Sequence, residues 1–138
     1  MWAVYALLSA LFASLTAILA KIGMDGIPSN LATAIRTIVV LVMAWLVVLV
    51  AGQHRQIGQL TGRNFAFLIL SGITTGLSWL FYFHALQTGD ASKVVPIDKF
   101  SVVLTMILAF IFLKEQADIK TIVGGLLITA GTFVMILK

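Results

Sequence analysis

The sequence predicts an all-α membrane protein, a bundle of five transmembrane helices, and two observations carry that class. The first is composition. Of 138 residues, 61% are hydrophobic and 10% charged, against roughly 25% charged in a soluble domain. With a mean hydropathy of +1.12, the chain has too few polar side chains to cover a soluble surface. It is equally unlike a disordered chain, which is poor in apolar residues. The second observation is grouping: the apolar residues fall into five runs, each near the ~20 residues that a helix needs to cross a hydrocarbon layer of about 30 Å. Strands of a membrane barrel would alternate apolar and polar residues, and VVLVMAWLVVLV at 39–50 does not.

Each run is bounded by residues that stop or start helices. Residues 2–20 come first; without Lys or Arg ahead of them or an A-x-A site before Lys21, they are expected to stay as a helix rather than be cleaved as a leader. The KIGMDGIPSN stretch follows, with Ser29 or Asn30 to cap the second helix, 31–51. A polar link holding Gln53, His54, Arg55 and Arg63 leads to the third, 65–86. QTGDASK offers Gly89 as a stop and Asp90 or Ser92 as the next cap. The fourth run is 94–113, and the polar hinge KEQADIK joins it to the fifth, 121–137. The whole of 1–138 is thus expected to be one transmembrane domain, with its function inside the membrane.

Five crossings put the two ends of the chain on opposite faces. Loop Lys and Arg number four on the N-terminal face (Arg55, Arg63, Lys114, Lys120) and three on the other (Lys21, Lys93, Lys138). Counting Arg36 and Lys99, near helix ends, makes it four against five. Orientation follows a clear excess of positive charge on one side, and here the excess changes sign with the counting. Either the chain inserts one way on a weak bias, or it inserts both ways and the two orientations pair.

In lipid, small residues mark where helix backbones approach. Ala6, Ala10, Ala13, Ala17 and Ala20 form such a stripe on the first helix, and Gly72 and Gly76 a GxxxG on the third; both are expected to pack within the chain. Gly124 and Gly131, seven apart on the fifth helix, are the candidate dimer seam. Hydroxyls and charges must face protein or water. Asp98, Ser101 and Thr105 share a face of the fourth helix, Ser71, Thr75, Ser78 and Tyr82 one of the third, and Tyr5, Ser9 and Thr16 one of the first. Three such stripes predict a shared polar cavity.

Following the alternation of helices, Arg36, Tyr82, His84, Asp98 and Lys99 gather near the face opposite the N-terminus. Arg36 lies about 8 Å deep at 1.5 Å per residue, and Asp98 is its natural partner, since neither charge is cheap to bury alone. Lys99 is expected to snorkel to the interface. Pro96 should start the fourth helix or kink it, and broken helices beside polar groups recur at transport sites and gates. No phosphate loop, catalytic triad or metal-ligand spacing is present, so an enzyme, a metal site and a cofactor are not expected. Trp2, Trp45 and Trp79 with a pI near 9.8 fit interfacial anchoring in a bilayer rather than binding of nucleic acid.

The run ASKVVPIDKFSVVLTMILAFIFLKEQ, with Pro96 opening a helix and Leu113-Lys114-Glu115 closing it, resembles the EamA-type transporters of the drug/metabolite transporter superfamily. IGMDGIPSNLATAIRT around Arg36 and the closing GGLLITAG are similar to the same family. The resemblance implies one half of a ten-helix carrier built from two inverted five-helix units, with a cavity formed by the first four helices and the fifth peripheral. The small multidrug relatives carry a Glu in the first helix for proton coupling; here that helix has no carboxylate. The expected function is secondary transport of a small metabolite or drug-like solute in the bacterial inner membrane. The chain would work by alternating access as a homodimer, possible in antiparallel form, or beside a second half-transporter. Arg36, Lys99 and His84 outnumber Asp98, favouring an anionic or zwitterionic substrate. The rival expectation is an accessory or assembly subunit that transports nothing alone.

Overall fold

The computed structural model describes residues 1–137; Lys138, counted above among the charges that set orientation, lies outside the described residues. Among those residues the secondary structure is helical: α1 (Trp2–Gly23), α2 (Ser29–Val50), a 3-10 turn (Gln53–Gln59), α3 (Gly62–Thr88), α4 (Ala91–Asp98), α5 (Phe100–Leu108), a π-helical turn (Ala109–Leu113) and α6 (Ile119–Ile136). With α4, α5 and the π turn taken together as Ala91–Leu113, five spans are long and apolar enough to cross a membrane. The fold class is as the sequence predicts.

The helix ends differ from the hydropathy boundaries. α1 continues through Lys21 to Gly23, α3 begins at Gly62, and α4 begins at Ala91. Hydropathy marks where lipid begins, whereas a helix ends where its last N–H and C=O groups find other partners. The cap of α2 is a clear case. Pro28 occupies the N-cap position with extended backbone and the helix starts at Ser29, so neither Ser29 nor Asn30 caps it. The Ser29 N–H instead donates to the side-chain Oε1 of Gln87, at 3.2 Å.

The described residues form two compact units, Met1–Gln87 and a second from Thr88 on. In the first, burial is concentrated where α1 ends, α2 begins and α3 ends: Ala17, Ala20, Met24, Ser29, Ala32, Thr33, Phe83 and Leu86. Ala17 and Ala20 thus pack as expected, but Ala6, Ala10 and Ala13 are exposed. A Cβ added at Gly72 or Gly76 would meet nothing within 4 Å. The GxxxG of α3 therefore does not pack within the first unit. In lipid no hydrophobic force presses an apolar helix face onto its neighbour, so a small-residue pattern permits close packing without supplying it.

In the second unit Pro96 lies inside α4, five residues after its start. Its ring and missing N–H disturb the ladder, and the helix is interrupted at Lys99, whose N–H reaches the carbonyls of Val95 and Pro96 at 3.3 and 3.1 Å. α5 then packs on α6 through Phe100 and Phe133, edge to face at 6.4 Å. The close approach falls at Gly125, where a Cβ would stand 2.7 Å from the Met106 Cε. Gly124 and Gly131, the expected seam, meet nothing within 4 Å.

Candidate functional site

The buried end of the first unit is tied by polar groups as well as by packing. Lys21, in the last turn of α1, donates from Nζ to the carbonyls of Leu86 and Gln87 at 2.6 and 3.3 Å. These belong to the last turn of α3, whose final carbonyls have no partner inside the helix. Lys21 also places a positive charge against the negative end of the α3 dipole. The Gln87 side chain completes the knot from the other direction. Its Nε2 donates to the Ile27 carbonyl at 2.6 Å and more weakly to that of Met24 at 3.4 Å, while its Oε1 accepts from Ser29.

Beside this knot, between α1 and α2, lies a cavity of about 450 Å³ lined by Thr16, Leu19, Ala20, Gly23, Met24, Ile27, Ala32, Ile35 and Arg36. It is within the usual size of small-molecule pockets, about 300–1,000 Å³, and like them mostly apolar with few polar groups. Arg36 is the one charge on its wall. The guanidinium rests on the ring of buried Phe83, 4.0 Å from its centroid, and that cation–π contact helps hold it inside an apolar span. Tyr82 meets Phe83 edge to face at 5.0 Å. The Arg36 Nη1 is buried without a hydrogen-bond partner.

The residues expected to form a gate fall in both units, and each is placed within its own. Arg36 lines the cavity, and Tyr82 braces the ring beneath it. His84 is exposed on α3. Thr75 returns its hydroxyl to the Ser71 carbonyl at 2.8 Å, within its own helix, and Ser78 is exposed. In the second unit Asp98 and Lys99 pair with each other, Oδ2 to Nζ at 3.6 Å. Lys99 is the C-cap residue of α4. Ser101 and Thr105 are exposed on α5.

Gln87 and Gly23 were not foreseen, nor was Phe83 as the bed of Arg36. A Gln where an apolar run stops carries a donor and an acceptor suited to capping, but only the fold says which turn it caps. Glycine without a GxxxG partner gives no sign that it faces a cavity. The described residues hold no cluster of His, Cys, Asp and Glu able to bind a metal ion.

These features sit in a chain with clear relatives. The EamA-like transporter family model matches residues 1–137. An uncharacterized transporter in the cobO 3' region of a Sinorhizobium species is 44% identical over 134 residues, 97% of this chain and 95% of that one. An uncharacterized protein of Methanocaldococcus jannaschii is 30% identical over 69 residues, half of each chain. No solved structure matches. Five apolar helices of the expected lengths fit a half-size unit, and this chain belongs to the EamA-like transporter family.

Proposed function

We propose that this protein is a secondary carrier for small organic solutes, working by alternating access as a pair of five-helix units in the bacterial inner membrane. Family membership points to transport rather than catalysis. The observation that carries the paired form is the face of α3. Gly72, Gly76, Ser71 and Ser78 are exposed on a membrane span, and the two Ser hydroxyls have no hydrogen-bond partner among the described residues. Glycines on a span mark backbone contact, and hydroxyls in hydrocarbon need protein or water. A second unit, or a water-filled path beside it, supplies both. Helices tied at one end and open at the other suit a bundle that closes on a partner.

The chain has no cysteine, so single-cysteine variants report orientation without background. Asp25→Cys, after α1, and Gln56→Cys, in the α2–α3 link, face opposite sides of the membrane by the order of the helices. An antiparallel homodimer labels both sites from outside intact cells; labelling of only one would sink the antiparallel form. Gly72→Leu, whose Cβ meets nothing within 4 Å, is expected to leave the monomer folded while abolishing cross-linked dimer and solute flux in liposomes. If purified wild-type protein carries no solute while a second five-helix protein restores flux, the homodimer yields to a heteromeric carrier.

A further inference from the structure

The cavity of the first unit narrows what such a carrier would take. Two of its lining residues have polar groups without a hydrogen-bond partner among the described residues. Six helical threonines, Thr33, Thr37, Thr74, Thr75, Thr129 and Thr132, each donate to a carbonyl one turn back in their own helix, while exposed Thr105 does not. Thr16, in the middle of α1 and on the cavity wall, has no such bond, and its hydroxyl finds no partner among the described residues. The Arg36 Nη1 is likewise buried without a hydrogen-bond partner, and the guanidinium rests on the face of Phe83. Burying a cation in an apolar span without an acceptor is costly, and so is an unmatched hydroxyl. Here both border the same space of about 450 Å³, which no carboxylate lines.

We infer that this cavity binds a small organic monoanion with an apolar body, its carboxylate (or an equivalent anionic group) taken by Arg36 and Thr16. A guanidinium offers a carboxylate paired, charge-assisted hydrogen bonds. Leu19, Met24, Ile27 and Ile35 receive the apolar part. A cation meets repulsion and no counter-charge. A zwitterion binds more weakly than the anion, because its ammonium would be desolvated opposite side chains that cannot accept from it. Gly23 sets the room available: a Cβ there points into open space, with nothing within 4 Å. The assignment deepens the carrier reading by naming a substrate class. The same anionic chemistry is offered by a lipid headgroup, so the test separates the two sources.

The experiment is calorimetric titration of the purified full-length protein in neutral detergent with benzoate, phenylalanine and benzylamine, which share a ring and differ in charge. Benzoate is expected to bind most tightly, phenylalanine more weakly and benzylamine not at all. Arg36→Gln should weaken benzoate by about 10- to 100-fold, the range for losing hydrogen bonds to a charged group. Arg36→Lys should retain part of the affinity. Gly23→Leu is the check should Arg36→Gln unfold: its Cβ meets nothing within 4 Å, so it occupies the cavity without removing the charge and should abolish benzoate binding. Equal affinity for benzoate and benzylamine overturns the assignment, as does benzoate binding indifferent to both Arg36→Gln and Gly23→Leu. Phosphatidylglycerol that blocks benzoate one for one also overturns it and leaves a lipid site. Failure of the carrier reading looks different: benzoate binds as described, yet liposomes show no flux of any of the three probes. Flux of benzylamine with no benzoate binding keeps the carrier and removes the anion site.

Discussion

The turn joining α1 to α2 and the link joining α2 to α3 leave the same kinds of backbone group unpaired, and they satisfy them from different distances. In the first, partners come from far along the chain: Lys21 reaches Leu86 and Gln87, and Gln87 reaches Ser29, Ile27 and Met24. In the second, everything is local. Gly52 takes the left-handed conformation at φ 69° to end α2. The Thr61 hydroxyl accepts from the Asn64 N–H at 3.2 Å and donates to the Asn64 side chain at 2.8 Å, starting α3 without outside help. The difference teaches where this unit is specified. One end of its helices is fixed by tertiary hydrogen bonds, and buried residues collect there. The other end is closed by self-sufficient caps that hold no helix against another.

The largest effect should follow from cutting the tertiary knot. Gln87→Leu keeps the volume but leaves the Ser29 N–H and the Ile27 carbonyl without their Gln87 partners, at a cost of about 2–3 kcal/mol. A clear drop in the thermal midpoint in detergent is the expected reading. Gln87→Glu retains an acceptor for Ser29 and should fall between the two. Gln56→Ala, in the locally capped link, should change stability by less than about 0.5 kcal/mol. Equal effects at Gln87 and Gln56 would dissolve the contrast between the two turns.

What the sequence made legible follows the same division. The five spans could be read because lipid imposes a length and a composition on each helix separately. The stripe of Ala17 and Ala20 was read correctly as packed, while Gly72 and Gly76 carried the same signal and are open. A pattern on one helix cannot say whether a partner lies within the chain. Arg36 stood out in the sequence because a charge in a span is rare. Its bed on Phe83 was not, since Phe83 is one of many apolar residues on α3. Capping was legible only where it is local: Gly89 follows the end of α3 as expected, but the cap of α2 comes from a residue 58 positions away.

A smaller effect tests a local ending in the second unit. The π turn closes with Lys114 at φ 54°, the one non-glycine residue with positive φ among the described residues, and the Glu115 N–H returns to the Ala109 carbonyl at 3.3 Å. A side chain in that conformation costs about 1–2 kcal/mol because its Cβ crowds the following carbonyl. Lys114→Gly removes the clash and should raise the thermal midpoint by the equivalent of about 1 kcal/mol. Lys114→Ala keeps the Cβ and should not. A gain with both substitutions would trace the effect to the lost charge instead of the backbone.

The smallest effect concerns the start of α6. Asp118 occupies the N-cap and its Oδ1 accepts from the Thr121 N–H at 2.8 Å. Hydrogen bonds from the Thr121 side chain and then its backbone hold the carboxyl below its usual range. A group whose pKa is lower in the folded state adds stability above its unfolded pKa, about 3.9 for Asp, and loses it as pH falls through the folded value. The contribution should therefore be complete at neutral pH and fade only below about pH 4. Asp118→Asn keeps an oxygen to accept from Thr121 but cannot titrate. The difference in thermal midpoint between wild type and Asp118→Asn should thus be constant from pH 7 to 5 and shift against the wild type in more acid solution. Asp118→Ala removes the acceptor and should lower the midpoint at every pH. Because this cap is exposed and made within one turn, its loss should fray α6 locally and leave benzoate binding at Arg36 unchanged. A loss of that binding would mean that the local caps do carry tertiary order.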